Sequence, residues 1–437
     1  MVLEGIFFSD VSGIDPENHI ICTYYVETDG SLEGAGEAIA AEESIGTWTD
    51  IGTVTTDIQR RLAAKAFQFE EKGKKGVGLV KIAFPIELFD LEKGGIPNIM
   101  SMIMGNLFGL TALKNVRLLD VEFPKSVLTY FPGPKFGLEG VREIVGTKKD
   151  RRPHLGTIIK PKVGLNPSQT AEVAYEAAVG GVDLIKDDET LVSQSFCPLE
   201  ERLSKVMEKI DLVKEETGRT VFYALNITGN LNRLLEFADY AVENGANMIM
   251  LDILLSGLAA LQHLAEDPSV KLPIHCHRTF HAAFTRNPFH GVHMRVIAKL
   301  TRLAGGDQLH SGTAAGKMGL PEEVAEAKES GKVLLQEWGE IKPVMPVASG
   351  GIHPALVPKN IELLGTDLVI NAGGGIHGHP DGTRAGATAM RQAIDATMKR
   401  IPLEKYAETH PELKKALDKW GYRYAEKSET LGRRYGE

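Results

Sequence analysis

The amino-acid sequence predicts an α/β protein, with a small N-terminal α+β domain followed by a C-terminal (β/α)8 barrel. Two observations carry this expectation. From residue 154 onward, short apolar runs alternate with amphipathic segments of helical spacing, the pattern of parallel βαβ units. Before that point strand-like and helix-like runs mix without such repetition. The length agrees, because 437 residues hold one barrel of about 250 residues and a smaller domain.

In the N-terminal part, residues 19–28 (HIICTYYVET) are β-branched and aromatic, which predicts a strand. Residues 31–44 read as a helix capped by Ser31, and a second helix is expected over 57–71. A strand over 76–85, a helix over 96–109 and a strand over 114–124 follow. A Gly/Pro-rich stretch at 131–137 and a charged stretch at 148–153 mark the junction, dividing the chain into 1–145 and 146–437. Eight barrel strands are then expected at 155–160, 182–187, 220–226, 247–252, 272–277, 307–310, 344–348 and 367–371. Helices fall between them, among them 168–179, 200–216, 230–244 and 321–335. The last barrel helix is expected at 384–399, with a helical tail from Pro402.

Composition narrows the function. The formal net charge of -9 argues against a nucleic-acid-binding surface and makes any local basic cluster informative. Three widely spaced cysteines (Cys22, Cys197 and Cys276) form no disulfide framework and suit a reducing cytoplasm. The N-terminus lacks a secretory pattern. The apolar stretch 96–113 is interrupted by Pro97, Asn98, Ser101 and Asn106, so it reads as a buried helix and not as a membrane span.

Active sites of such barrels lie at the C-terminal ends of the strands. Six of the eight expected strands deliver ionisable groups or glycine clusters there. The first ends in Lys160-Pro161-Lys162 and the second in Lys186-Asp187-Asp188-Glu189. The fifth ends in His275-Cys276-His277-Arg278, and the sixth in His310-Ser311-Gly312 with Lys317 shortly after. The seventh ends in Ser349-Gly350-Gly351 and the eighth in Gly373-Gly374-Gly375. Lys186 and Asp188 are two apart and can share one face of the chain. Asp188 and Glu189 offer hard oxygen ligands for Mg2+, and a carbamate formed by Lys186 with CO2 would add a third anionic donor; a simple Lys–Asp ion pair is the plainer alternative.

The two glycine clusters can bring backbone amides close to a phosphate. His310, Arg278 and Lys317 could hold a second one. Zinc at His275-Cys276-His277 is discounted, because alternation turns Cys276 toward the helices. His277 sits at the rim as an acid/base candidate, whereas His281, His290 and His293 read as structural.

These motifs resemble the large subunit of ribulose-1,5-bisphosphate carboxylase/oxygenase (RuBisCO) over nearly the whole chain. Segments such as HAAFTRNPFHG and GHPDGTRAGA resemble the archaeal form III group. The resemblance implies a ferredoxin-like N-terminal domain and a TIM barrel. It implies Lys160, Lys162, Lys186, His277 and Lys317 as catalytic residues, with Lys186 carbamylated and Lys186, Asp188 and Glu189 binding Mg2+. Arg278, His310, Ser349, Gly350, Gly351, Gly373 and Gly374 would bind substrate. The segments AAEESIGTWT and GNLFG imply that Glu42, Thr47, Trp48 and Asn106 complete the site of a neighbouring chain, hence a homodimer or a ring of dimers.

The implied activity is carboxylation, with competing oxygenation, of ribulose 1,5-bisphosphate to 3-phosphoglycerate through an enediolate, with CO2 and O2 as co-substrates. The form III resemblance suggests AMP metabolism as the setting. Departures fall at GKMGLPEE in the mobile loop, at Asn371 where glutamine is common, and at KDDET and HRTFHA. A RuBisCO-like enolase or isomerase acting on another sugar phosphate is the alternative. A non-catalytic sugar-phosphate binder, or a Schiff-base aldolase using Lys160 or Lys186, leaves more of the rim unexplained.

Overall fold

The computed structural model describes residues 5–46, 49, 52–316 and 321–421. Its N-terminal domain contains β1 (His19–Glu27), β2 (Lys65–Lys72), β3 (Lys74–Pro85) and β4 (Asn115–Glu122), with α1 (Leu32–Glu42), α2 (Thr56–Leu62) and α3 (Gly95–Met104). The four strands pair antiparallel in the order β4-β1-β3-β2. With helices after β1 and β3, this is the ferredoxin-like arrangement. Ile20, Cys22, Tyr24 and Val26 alternate along β1 and are buried in the core shared with α1 and α3. Ser31 caps α1 as its sequence indicates, accepting from the Gly34 N–H at 3.1 Å.

Two expected elements are corrected. The helix over 57–71 ends at Leu62, and residues from Lys65 onward form β2. The segment places apolar residues at spacings that suit either structure. Pairing settles it: Ala66 lies opposite Ile82 and Phe69 opposite Val80 on β3. The helix expected over 96–109 likewise stops at Met104, and a separate 3-10 turn covers Leu107–Gly109.

The barrel strands are β5 (His154–Ile158), β6 (Leu184–Lys186), β7 (Phe222–Asn226), β8 (Met248–Asp252) and β9 (Ile274–His277). After β10 (Gly291–Val292) come β11 (Gln308–His310), β12 (Met345–Ser349) and β13 (Val369–Asn371). All but β10 close into one parallel ring in the order β11-β12-β13-β5-β6-β7-β8-β9. β10 instead joins the N-terminal sheet, parallel to β4. Inside the ring Leu184, Phe222, Ala224, Met248, Met250, Met345, Val347 and Val369 form a separate core. Leu138 and Val141 of the helix Gly137–Val145 pack into the same cluster. That helix therefore packs as the floor of the barrel, although the sequence division falls after residue 145.

Alternation then dictates what lies above the apolar layers. Lys186, Asn226, Asp252, Ser349 and Asn371 each stand two residues beyond an interior apolar residue and end their strands. They therefore line the upper interior. The short β6 is fixed from below by Asp183. Its carboxylate accepts two bonds from Arg152 at 2.7 and 2.9 Å, one from Arg391 at 2.5 Å and one from the Leu155 N–H at 2.8 Å.

Burial opposes ionisation of Asp183, but Arg391 and Arg152 outweigh it and hold the carboxyl well below its usual range. Its stabilising contribution is therefore present at neutral pH and is lost as pH falls below about 4. Asp183→Asn should cost about 3–5 kcal/mol at pH 7. Denaturant unfolding should show this difference narrowing as the pH is lowered toward 3.

Candidate active site

The upper interior is organised around the end of β6. Lys186 is fully buried, and its Nζ donates to the Asp187 carbonyl at 2.6 Å and to Glu189 Oε2 at 3.4 Å. Asp187 points outward, accepting from Arg202 Nε at 3.2 Å, from the Tyr223 hydroxyl at 2.7 Å and from the Asn226 N–H at 3.0 Å. Asp188 turns back to the mouth. Its Oδ2 accepts from Lys160 Nζ at 2.7 Å and its Oδ1 from the Thr190 hydroxyl at 2.8 Å. Burial pushes the Lys186 amine below its ordinary pKa, against the opposing pull of Glu189, Asp188 and Asp252. The ion pairs differ from the simple Lys186–Asp pair weighed from the sequence: Asp188 pairs with Lys160 and Lys186 with Glu189.

Two carboxylates do not complete a hard-cation site. Among the described residues no group of three or more His, Cys, Asp or Glu side chains is placed to hold a metal ion. The donors at the end of β6 fit Mg2+ if Lys186 contributes an oxygen of its own, as a carbamate would. Asp252 strengthens the electrostatic case, because it is buried with neither carboxylate oxygen hydrogen-bonded. Burial raises its pKa to about 7, so it depends on nearby positive charge to ionise.

His277 bridges this region to the rest of the mouth. Its Nδ1 lies 3.3 Å from Asp252 Oδ1 and its Nε2 lies 3.6 Å from Glu189 Oε2. Its ring packs edge-on against His310, with centroids 4.5 Å apart. A buried chain continues from there. Gln308 Oε1 accepts from His275 Nδ1 at 2.7 Å, the two Nε2 atoms of His275 and His310 are 2.9 Å apart, and His310 Nδ1 meets Ser349 Oγ at 2.8 Å. Burial lowers the pKa of all three histidines, to about 3 for His275. With neutral rings the protons run one way: His275 donates to Gln308, His310 donates to His275, and Ser349 donates to His310. Both His310 nitrogens are thus engaged within the protein.

Arg278 lies beside Gly312, where an added β-carbon would stand 3.4 Å from Nη2. Burial lowers its pKa to about 10, which leaves it cationic at neutral pH. Lys162 is exposed. After β12, Gly350 and Gly351 take φ values of +113° and +71°, a turn that only glycine makes without strain. Gly373 leaves room for Lys160, whose Cε would be 3.3 Å from a β-carbon there. Gly374 is exposed and begins the short helix Gly374–His377. The loops after β12 and β13 touch, since a β-carbon on Gly375 would be 2.1 Å from the Ile352 carbonyl.

Glu42 and Asn106 stand apart from this group. They line a separate cleft of about 170 Å³ in the N-terminal domain, with Glu43, Ser44, Ser101, Met102 and Gly105. Thr47, Trp48 and Lys317 lie outside the described residues.

Cys276 does point toward the helix layer, with Sγ 2.5 Å from where a β-carbon on Gly306 would stand. His281 meets the Thr285 hydroxyl at 2.9 Å, His290 accepts from the Val116 N–H at 3.5 Å, and His293 caps its following helix. All three therefore make structural contacts of the kind expected of them. Sequence reasoning passed over Asn226, Asp252 and Gln308. Their signal was positional: Asn226 and Asp252 end strands two residues past an apolar one, and Gln308 precedes His310 by two.

Among the described residues no helix is long and apolar enough to cross a membrane. Gln308→Leu should leave His275 Nδ1 unpaired and cost about 1–3 kcal/mol in urea unfolding at pH 7. A loss below the error of that measurement would show that the imidazole chain does not depend on Gln308.

Comparison with known proteins places the chain among relatives of one family. A family model described as the ribulose bisphosphate carboxylase large chain, catalytic domain, matches residues 138–420, and one for the N-terminal domain of that chain matches residues 8–127. A ribulose bisphosphate carboxylase from Pyrococcus abyssi is 47% identical over 95% of this chain and 96% of its own. One from Methanocaldococcus jannaschii is 47% identical over 89% of this chain and 94% of its own. Among solved structures, an octameric Rubisco from Pyrococcus horikoshii superposes with a TM-score of 0.88 at 45% identity, covering 94% of this chain and 96% of the other. A dimeric archaeal Rubisco from Hyperthermus butylicus gives 0.87 at 43% identity, covering 96% of this chain and 100% of the other.

Proposed function

The chain belongs to the ribulose bisphosphate carboxylase large-chain family and is a carboxylase, and we propose that its barrel mouth carboxylates ribulose 1,5-bisphosphate with the residues gathered at the end of β6. The observation that carries this reading is Lys186, a fully buried amine set among Asp188, Glu189 and Asp252. Burial favours the neutral amine, and the neutral amine is the form that adds to CO2. Lys186 as its carbamate, with Asp188 and Glu189, would hold Mg2+. That ion supplies Lewis-acid polarisation of the substrate carbonyl and so acidifies the adjacent C–H.

The chain's own residues then divide the work. The barrel glycines Gly350, Gly351, Gly373 and Gly374 bind one phosphate of the substrate through backbone amides. Arg278 holds the other, with Lys317 contributing its charge. Lys160 is released from Asp188 to stabilise the enediolate oxygen and to protonate the product carbanion. Lys162 adds positive charge at the rim. His277, placed between Asp252 and Glu189, moves protons during hydration and cleavage of the carboxylated intermediate. His310 directs the Ser349 hydroxyl: with that hydroxyl's proton given to His310, Ser349 offers lone pairs to a substrate hydroxyl. Lys317 closes over the site and neutralises the new carboxylate. O2 competes with CO2 for the enediolate.

Glu42, Thr47, Trp48 and Asn106 serve the site of a second copy. The protein therefore works as a dimer or as a ring of dimers, consistent with the octameric and dimeric relatives. A setting in AMP metabolism inside the cytoplasm accords with the archaeal relatives.

The direct test is anaerobic incorporation of radiolabelled CO2 into 3-phosphoglycerate from ribulose 1,5-bisphosphate with Mg2+. Lys186→Ala should abolish activation by CO2, and substantial turnover in that variant would sink the carbamate role. Lys317→Ala should retain proton exchange at C3 while losing most carboxylation. Equal loss of both would remove Lys317 from gas addition.

A further inference from the structure

The cleft that holds Glu42 and Asn106 contains a third polar group that the reaction scheme leaves without a part. Glu43 is the C-cap of α1 and is buried, at 5% exposure, while Glu42 beside it is half-buried and Asn106 is exposed. Its backbone N–H donates to the Ile39 carbonyl at 3.0 Å, so its position is set by the last turn of the helix. Its side chain crosses to a different element: Oε2 accepts from the Gly105 N–H at 2.9 Å. Gly105 is the link between α3 and the turn Leu107–Gly109, and Asn106 is the next residue. A side chain is not admitted at Gly105, because a β-carbon there would be 2.4 Å from the Ser101 carbonyl. From the opposite side the Tyr24 hydroxyl donates to the Ile103 carbonyl at 2.7 Å, holding the end of α3 against β1.

We propose that Glu43 is a positioning residue for carboxylation: by tying the end of α1 to the Gly105–Asn106 turn, it presents Glu42 and Asn106 as one rigid unit to the neighbouring active site. The inference rests on the reading that those two residues complete that site. Adjacency gives it its force. Glu42 is covalently joined to Glu43, and Asn106 to Gly105, so this 2.9 Å bond directly ties the two segments that carry them.

The arrangement also carries a cost that packing alone does not explain. Oε1 of Glu43 is buried without any hydrogen-bond partner. Burial raises the carboxyl pKa to about 7 even though the Gly105 and Asn106 amides draw it down, with Glu42 adding repulsion. A small or apolar residue would avoid that cost but could not reach the turn.

The test compares wild type, Glu43→Ala, Glu43→Gln, Glu42→Gln and Asn106→Ala in the assembled, Mg2+- and CO2-activated enzyme. Two readouts are needed: carboxylation kinetics, and hydrogen–deuterium exchange of peptides covering residues 103–109. E43A should lose about ten- to a hundredfold in kcat, the scale of a displaced catalytic group. Its KM for ribulose bisphosphate should change less than threefold, because the phosphates are anchored on the barrel.

E43A should also exchange faster at 103–109. Glutamine keeps a carbonyl that can accept from Gly105, so E43Q should restore kcat to within about threefold and restore protection. Wild-type kcat in E43A, slow turnover with unchanged protection, or failure of E43Q to rescue would each overturn the proposal. Full activity in E42Q and N106A would overturn the underlying reading of the neighbouring site, and with it any catalytic purpose of the tie, whatever the exchange data show.

Discussion

The strand Leu184–Lys186 is clamped at both ends by buried ion pairs, and the rest of the active site depends on that clamp. Below it, Asp183 is held by Arg152 and Arg391. Above it, Asp187 is held by Arg202, with neither side chain exposed to solvent. Slipping a strand by one residue turns every side chain to the opposite face. Two outward anchors with three strand residues between them prevent such a slip. Lys186 has no alternative but to enter the barrel interior, and Asp188 must follow it. Hydrophobic pattern alone would hold so short a strand weakly.

The site is electrostatically expensive. Lys186 and Asp252 are buried, and the oxygens of Asp252 are without hydrogen-bond partners. Asn371 is buried with both side-chain polar atoms unpaired. Native interiors seldom leave such groups unsatisfied. Asp252 and Asn371 share the upper layer of the barrel with Lys186, while the layers beneath are apolar and closed by Leu138 and Val141. The cost is borne where ligands arrive, and the apolar floor supplies the stability that permits it.

Much of this was legible in the sequence because the barrel obeys simple periodicities. All eight ring strands lie where apolar runs alternate with amphipathic helices, and the rim residues sit at their ends. What escaped depends on partners distant in the chain. The segment 65–72 is a strand because β3 pairs with it, and no local feature of Phe67 or Phe69 requires that outcome. Asp252 looks like an ordinary strand end until Lys186 is placed nearby. Glu43 looks like a duplicate of Glu42 until Gly105 is brought within a hydrogen bond of it. The roles proposed for Glu42 and Asn106 rest on family resemblance, since a single chain leaves them apart from the barrel mouth.

The addition of β10 to the N-terminal sheet has a consequence for biogenesis. β4 ends at Glu122, whereas its parallel neighbour is Gly291–Val292, roughly 170 residues later. At about 5–20 residues per second of synthesis, the N-terminal domain emerges with that flank of its sheet open for roughly 10–30 s. An open strand flank is a template for pairing with other chains. The opposite flank, β2, carries Lys65, Glu70, Glu71 and Lys72 as charged guards. On the β4 side the guard arrives late: Lys299, which grips Asp120 and the Val121 carbonyl, belongs to the helix that follows β10. The nascent chain is thus most exposed to mispairing between completion of β4 and emergence of the barrel's fifth strand and the segment beyond it.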